Sequence, residues 1–418
     1  MLCQFEVKNF RCIKESAVLS MVAADGLSEH RESLLTQGDE ISFLPLATIY
    51  GANGGGKSTV LDALYCLCLK VMMPIVAAGS GIQSQLSDSF SHIICPFAFD
   101  EESGTIPTEF GVVFRTKEYE YDYHLSLLND LVVKESLYHK RISGGRYTRV
   151  FYRVENTVFQ LTKSLRKAFG KNEEQVISAS IPLLSFLGIL NGRHDVIADV
   201  MSWFRGGIEF LDYKNSFRER YMNLPESGMM KEKVLDFLTA MGLDIIDYRL
   251  EKIGENSNGE MQFRIFTKHR VKAHEYELEL KQESSGTIKI FNSLPFIISA
   301  LLNGRVLVAD ELDAKLHPAL LQYLLRLFSD PNLNRHGAQL LITSQDILTM
   351  SSENFRRDEI WFAAKNADQE SQLYALSDFR DEDGAKVRKD SSYSKQYMEG
   401  RYGADPFFKR LIGWEVLE

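Results

Sequence analysis

Residues Tyr50–Thr59 read "YGANGGGKST", and the fold turns on how that stretch is understood. Gly51-Ala52-Asn53-Gly54-Gly55-Gly56-Lys57-Ser58, followed by Thr59, satisfies G-x-x-x-x-G-K-[ST]. Glycines at these places let successive backbone N–H groups face inward at the positive end of the following helix, as a phosphate chain requires. Lys57 is expected to reach the β- and γ-phosphates, and Ser58 to coordinate Mg²⁺. The flanks agree. "ISFLPLATIY" upstream reads as a strand, and "STVLDALYCLCLKVM" downstream has helical periodicity. A glycine turn with an incidental lysine would not need that strand and that helix.

Working outward, the same alternation returns late in the chain. "RVLVADEL" is a continuous apolar strand, "HPALLQYLLRLF" an amphipathic helix and "AQLLITSQD" a second buried strand. Buried strands alternating with helices indicate a parallel α/β sheet. The pattern occurs at 41–72 and again at 287–365, so one nucleotide-binding core is assembled from both ends of the chain. Between about 97 and 153 the segments read as antiparallel strands, with "ISGGR" as a hairpin turn. Residues 156–242 read as helical, and "DIIDYRLEKIG", "MQFRIFTKHR" and "HEYELELKQ" return to strand. The expected division is an N-terminal ATPase lobe (1–155), a helical insertion (156–242) and a C-terminal ATPase lobe (243–418).

In "RVLVADELDAKLHP" the strand delivers Asp310 at its carboxyl end, where ligands of open α/β sheets bind. Asp310 is expected to hold Mg²⁺ and Glu311 to polarise the attacking water as general base. Two acids after a strand can also cap a helix. With a phosphate loop upstream the catalytic reading is favoured, because phosphoryl transfer needs both parts.

The formal net charge of −9 argues against broad adsorption to DNA or anionic membrane. Five cysteines in no zinc-like spacing read as reduced thiols. The first residues lack the apolar core of a targeting signal, and runs such as "LCLKVMMPIVAAG" fall short of the ~18 residues that span a bilayer. These features predict a cytoplasmic protein with no membrane partner. Basic residues do gather at His139, Lys140, Arg141, Arg146 and Arg149, and at Lys163, Arg166, Lys167 and Lys171. They could track a nucleic-acid backbone, although such runs are more often solvated faces.

At this point the residues resemble a family. "FEVKNFRCIKE", "ESSGTIKIFNSLP" and "ADELDAKLHP" are similar to the N-terminal strand, shortened signature motif and combined Walker B and D-loop of ABC-type ATPases of the RecF, SMC and OLD group. Within it the chain most resembles the AbiL-like, or RloA-like, abortive-infection ATPases of bacteria. "LSDFRDEDGAKVRKD" and "YMEGRYGADP" look like segments of that branch. The resemblance implies a head-to-tail homodimer, with a higher oligomer as the alternative. ATP would lie between the phosphate loop of one copy and Ser284, Ser285 and Gly286 of the other, with Asp313 in the D-loop across the interface. It also places Gln345 where the family has a γ-phosphate-sensing histidine. Glutamine can donate a hydrogen bond but cannot become charged, so hydrolysis is expected to be slow. No Q-loop glutamine is evident in "HIICPFAFD", His92 to Asp100.

Three functions emerge from these readings. In the first, ATP and Mg²⁺ control a dimer that acts as sensor or regulator in anti-phage defence. No nuclease site is recognisable, and the chain after Gln345 leaves no room for a Toprim domain. The toxic activity is therefore assigned to a separate nuclease or toxin, such as a Toprim-like partner. The second is a RecF- or SMC-like DNA-maintenance ATPase, and the third an ATP-stabilised scaffold with little turnover.

Overall fold

The computed structural model describes residues 1–80, 94–155, 157–163, 165–166, 178–190, 194–211, 227–255, 261–380 and 384–404. In chain order its elements begin with β1 (Leu2–Lys8), β2 (Ala17–Ser20), β3 (Leu35–Thr36), β4 (Ser42–Phe43), β5 (Leu46–Tyr50) and α1 (Lys57–Ser80). Then come β6 (Thr108–Arg115), β7 (Tyr119–Leu128), β8 (Leu131–Arg141), β9 (Thr148–Val154) and β10 (Thr157–Leu161). The middle holds α2 (Leu183–Leu190), α3 (Asp195–Gly206), β11 (Ile208–Leu211), α4 (Met229–Ala240), β12 (Ile245–Glu255), β13 (Met261–Val271) and β14 (His274–Glu279). The chain closes with α5 (Ser285–Asn303), β15 (Val306–Ala309), α6 (Pro318–Ser329), β16 (Gln339–Thr343), β17 (Ile360–Lys365), β18 (Ser371–Ala375) and α7 (Tyr393–Met398).

The central sheet runs β11-β15-β16-β5-β17-β18, and every pairing except β17 with β18 is parallel. Its inner strands are apolar at nearly every position because both faces are covered. Ala47 and Ile49 of β5, Val306 and Val308 of β15 and Leu341 of β16 pack into one core with α1 and the antiparallel lobe. Leu46, Leu307, Ala309, Leu340 and Ile342 point the other way, into a core built with α5 and α6. The antiparallel lobe is a second sheet, β10-β9-β8-β7-β6-β1-β2. Gly144 and Gly145, both at positive φ, turn β8 into β9 where "ISGGR" predicts the hairpin. A third sheet, β12-β13-β14, leads into α5.

Three sequence expectations change. Residues 156–242 are not wholly helical: β10 extends the antiparallel sheet, and β11 pairs in parallel with β15 as an edge of the central sheet. A four-residue strand is too short to show a period of two, and its identity comes from the neighbour it pairs with. Second, α1 continues past Pro74 to Ser80. Third, Lys57–Ala78 and Ser285–Asn303 are long and apolar enough to cross a membrane by length and composition, contrary to the expected shortfall, and 50% and 61% of their apolar windows are buried within the fold. Lys70 of α1 is drawn into the interior, with its ammonium on the Asp130 carboxylate at 2.5 Å.

Candidate functional site

The parallel strands of the central sheet end on one edge, and the site is made from the segments that leave three of them. β5 runs into the glycine loop, β15 delivers Asp310 and β16 ends at Thr343, with Ser344 and Gln345 next. The registers Ala309↔Ile342 and Thr343↔Ile49 set these ends side by side.

The loop is held by its surroundings as well as by its own sequence. A side-chain carbon on Gly51 would lie 2.2 Å from the Ala363 carbonyl oxygen, and one on Gly55 would lie 2.7 Å from it. One on Gly56 would stand 2.6 Å from Ser371 Oγ and 3.2 Å from Cys12 Sγ. Gly51, Gly54 and Gly56 also adopt positive φ, a conformation that side chains resist. Lys57 is buried. Its Nζ donates to the carbonyls of Gly51 (2.8 Å) and Ala52 (3.1 Å), and burial lowers its pKa against the pull of Glu311, Asp310 and Asp313. The first turn of α1 contains no acidic residue, so the positive helix end is left for an anion. Asn53 and Gly54 are exposed, and Thr59 Oγ1 lies 3.2 Å from Cys12 Sγ.

Asp310 Oδ1 accepts from both Ser58 Oγ (2.9 Å) and Thr343 Oγ1 (2.6 Å). That pairing brings together the two residues expected to hold Mg²⁺. Mg²⁺ in nucleotide sites takes one or two carboxylate or hydroxyl oxygens and completes its shell with phosphates and water. A lone carboxylate and a serine fit this donor set, and among the described residues no cluster of three His, Cys, Asp or Glu offers an all-protein cage.

Glu311 sits in the left-handed region at φ 47°, a costly conformation that persists where neighbours over-determine it. Its N–H donates to Thr343 Oγ1 (2.7 Å), and its carbonyl accepts from Lys289 Nζ (2.7 Å). Lys289 also donates to Ala314 O at 2.7 Å, bridging α5 to the D-loop, and burial brings its pKa down to about 8. Gln345 meets the same acids: its N–H donates to Asp313 Oδ2 (2.8 Å) and its Nε2 to Glu311 Oε1 (3.3 Å).

The residues expected to form the signature motif open α5. Ser284 caps it, accepting from Thr287 N–H at 3.1 Å, while Ser285 is exposed. A side-chain carbon on Gly286 would lie 2.9 Å from Lys315 O, so glycine is what allows the segment after β15 to pack there. This helix start is also free of acids in its first turn. Among the described residues no hydrogen bond joins Ser284, Ser285 or Gly286 to the phosphate loop of the same chain.

The family described as "AAA domain, putative AbiEii toxin, Type IV TA system" matches residues 46–351. The chain belongs to this AAA-domain family. As a member it carries an AAA-type P-loop domain, and its fold is α/β with a largely parallel central sheet. Solved structures similar to this AAA-domain chain include the Smc head bound to the C-winged helix domain of ScpA, at 16% identity and TM-score 0.43, covering 90% of this chain and 97% of that one. The SMC head domain from Thermotoga maritima is similar at 14% identity and TM-score 0.38, covering 90% and 98%. No curated protein matches the chain.

Sequence reasoning missed Thr343, Lys289 and the walls at Ala363, Ser371 and Cys12. Thr343 ends an apolar strand two residues before Gln345, and Lys289 lies about one helical turn beyond Gly286; both spacings are visible in the sequence. The expected Q-loop segment gains no glutamine. Cys95–Asp100 is tied to the N-terminal lobe through Arg11 N–H to Cys95 O, Phe97 N–H to Asn9 Oδ1 and Lys14 to Asp100, and His92 lies outside the described residues. Three residues of the basic hairpin are engaged within the antiparallel sheet. Lys140 pairs with Glu120 at 2.8 Å, Arg141 lies over Tyr119, and Arg149 lies over Tyr138 and Tyr152. Lys167 and Lys171 fall outside the described residues.

Proposed function

We propose that the chain hydrolyses ATP with Mg²⁺ as a nucleotide-controlled homodimer. In this reading it is the cytoplasmic sensor or regulator of a bacterial abortive-infection system, acting on a separate effector. The observation that carries the proposal is the split between two anion-ready helix starts. The one after the phosphate loop meets Ser58, Asp310, Glu311 and Gln345. The one at Ser285 is exposed and has no hydrogen bond to that loop in its own chain among the described residues. A second copy turned head to tail would bring an exposed start onto each loop. The family description, with its AbiEii toxin, and the AbiL-like segments near the C-terminus support the defence setting within the RecF, SMC and OLD group. The effector would be a nuclease or toxin of Toprim-like kind. The lobes 1–155 and 243–418 would form most of the ATPase, with 156–242 adding β10 and β11 to their sheets.

In this scheme Lys57 leaves the carbonyls of Gly51 and Ala52 for the phosphates, and the N–H groups of Gly54, Gly56, Lys57 and Ser58 line the cradle. Ser58 and Asp310 would hold Mg²⁺, which neutralises charge on the transferring phosphoryl group. Glu311 accepts the proton of the attacking water, steadied by Gln345 Nε2, by Thr343 on its N–H and by Lys289 on its carbonyl. Ser284, Ser285 and Gly286 of the second copy close on the γ-phosphate, and Asp313 lies at the seam. Gln345 stays neutral, which fits slow turnover.

Sedimentation velocity with and without Mg-ATP, alongside phosphate release, tests this reading. The wild type should dimerise with ATP and turn it over, and Lys57→Ala should do neither. A wild type that ignores ATP, or that matches Lys57→Ala, defeats the proposal. A wild type no faster than Glu311→Gln, with ATP bound to both, selects a scaffold in its place.

A further inference from the structure

The stretch Tyr397–Ala404 enters the sequence reading only as part of a family resemblance, and the ATPase scheme leaves it without a task. Its last described residue lies against the phosphate loop. The Ala404 carbonyl accepts from the N–H of Ala52 at 3.1 Å and from the Tyr397 hydroxyl at 3.1 Å, which uses both of its lone pairs. The carbonyl of Ala52 in turn accepts from Lys57 Nζ at 3.1 Å and from Gly55 N–H at 3.0 Å. One residue, Ala52, therefore links the C-terminal turn to the phosphate-binding lysine.

The turn itself is firmly seated. Tyr397, Tyr402 and Ala404 are nearly fully buried. Tyr397 stacks on Phe362 at 5.6 Å with planes 10° apart, and Tyr402 lies 5.2 Å from the same ring. The Tyr374 hydroxyl donates to the Tyr402 carbonyl. Phe362 directly precedes Ala363, whose carbonyl presses on Gly51 and Gly55. The entrance of the loop is thus held between two backbone carbonyls, of Ala363 and Ala404, joined behind it by one aromatic cluster.

We propose that Tyr397, Tyr374 and the Ala404 carbonyl are positioning groups for the nucleotide site, holding Ala52 and the entrance of the loop in the arrangement that receives ATP, from which Lys57 turns to the phosphates. The inference rests on the ATP-site reading above. It predicts that loosening the turn weakens nucleotide affinity while leaving the chemical step alone, since Asp310, Glu311 and Gln345 are supported from elsewhere.

The test uses the full chain and Mg-ATP as probe, measuring Kd by equilibrium binding, kcat at saturating ATP and the thermal midpoint. Tyr397→Phe deletes the hydroxyl and keeps the stacked ring, so its Kd should rise about fivefold, the worth of one neutral hydrogen bond, with kcat within about twofold of wild type. Tyr374→Phe should move Kd in the same direction. Tyr393→Phe is the control: it sits on the same helix and loses a like bond, to Lys389 O at 3.1 Å, without touching Ala404. It should lower the thermal midpoint as much as Tyr397→Phe does and leave Kd unchanged. Wild-type Kd in both Tyr397→Phe and Tyr374→Phe overturns the proposal, and so does an equal rise in Tyr393→Phe. If the wild type and Lys57→Ala bind ATP alike, the site reading falls and takes this inference with it. If they differ and both tyrosine variants match the wild type, only the inference falls.

Discussion

The two helix starts proposed to grip nucleotide differ in how they are built. The phosphate loop is walled by Ala363, Ser371, Cys12 and Ala404, and a methyl group on Gly51, Gly55 or Gly56 would collide with a wall. The start of α5 packs Gly286 against Lys315 O and shows Ser285 to solvent. A surface enclosed from several sides by its own chain is complete in one copy. One left open beside an acid-free helix end has room for a partner from outside. The contrast separates binding, which one chain supports, from hydrolysis, which in the proposed scheme needs two.

Mutations can break that contrast from either side. The largest effect is expected on the catalytic edge: Glu311→Gln should lower steady-state phosphate release by a factor of about 100 or more, while sedimentation shows a longer-lived ATP dimer. Next, Ser285→Arg should abolish ATP-driven dimerisation, with turnover falling alongside, yet leave fluorescent-nucleotide binding by the single chain nearly unchanged. A binding loss as large as the turnover loss would put Ser285 in its own chain's site. Lys289→Met should then reduce kcat by about tenfold with little change in affinity, because the carbonyl of Glu311 loses a charge-assisted bond and its left-handed backbone can relax.

The smallest expected effect lies away from both halves. Glu359 is buried beside Asp358, with one carboxylate oxygen unpaired among the described residues, and burial pushes its pKa from 4.5 up to about 8. The folded chain then holds a proton on Glu359 that the unfolded chain releases above 4.5. This group's contribution to stability is therefore full below about pH 4.5 and is lost as pH rises through 8. Glu359→Gln should flatten that slope. Thermal midpoints measured on the acid and alkaline sides of this window that differ as much in the variant as in the wild type would assign the slope to other groups.

How much of this could be read in advance depends on the range of each interaction. Gly51 to Ser58 and Asp310 to Glu311 are legible because their chemistry is local: neighbours in sequence create the loop and the strand end. The antiparallel region and its glycine hairpin are legible for the same reason. β11 is not, since four residues carry no period and its partner lies at Val306–Ala309. Nor is the continuation of α1 past Pro74, where packing overrides a local breaker. Lys289 looks like an ordinary helix lysine until the D-loop folds over it. Ala404 offers no side-chain chemistry at all, and its carbonyl matters only because folding sets it against Ala52.

The strand order has a last consequence, for the ribosome. β5 carries the phosphate loop, but its two neighbours in the sheet, β16 and β17, come from residues 339–365. At about 5–20 residues per second of synthesis, β5 waits some tens of seconds with both of its edges unpaired. During that interval "LATIY" is an apolar, uncharged ribbon with no sheet to enter, the kind of segment that pairs with strangers. Until residues 339–365 emerge, the strand that carries the phosphate loop lacks both of its sheet neighbours.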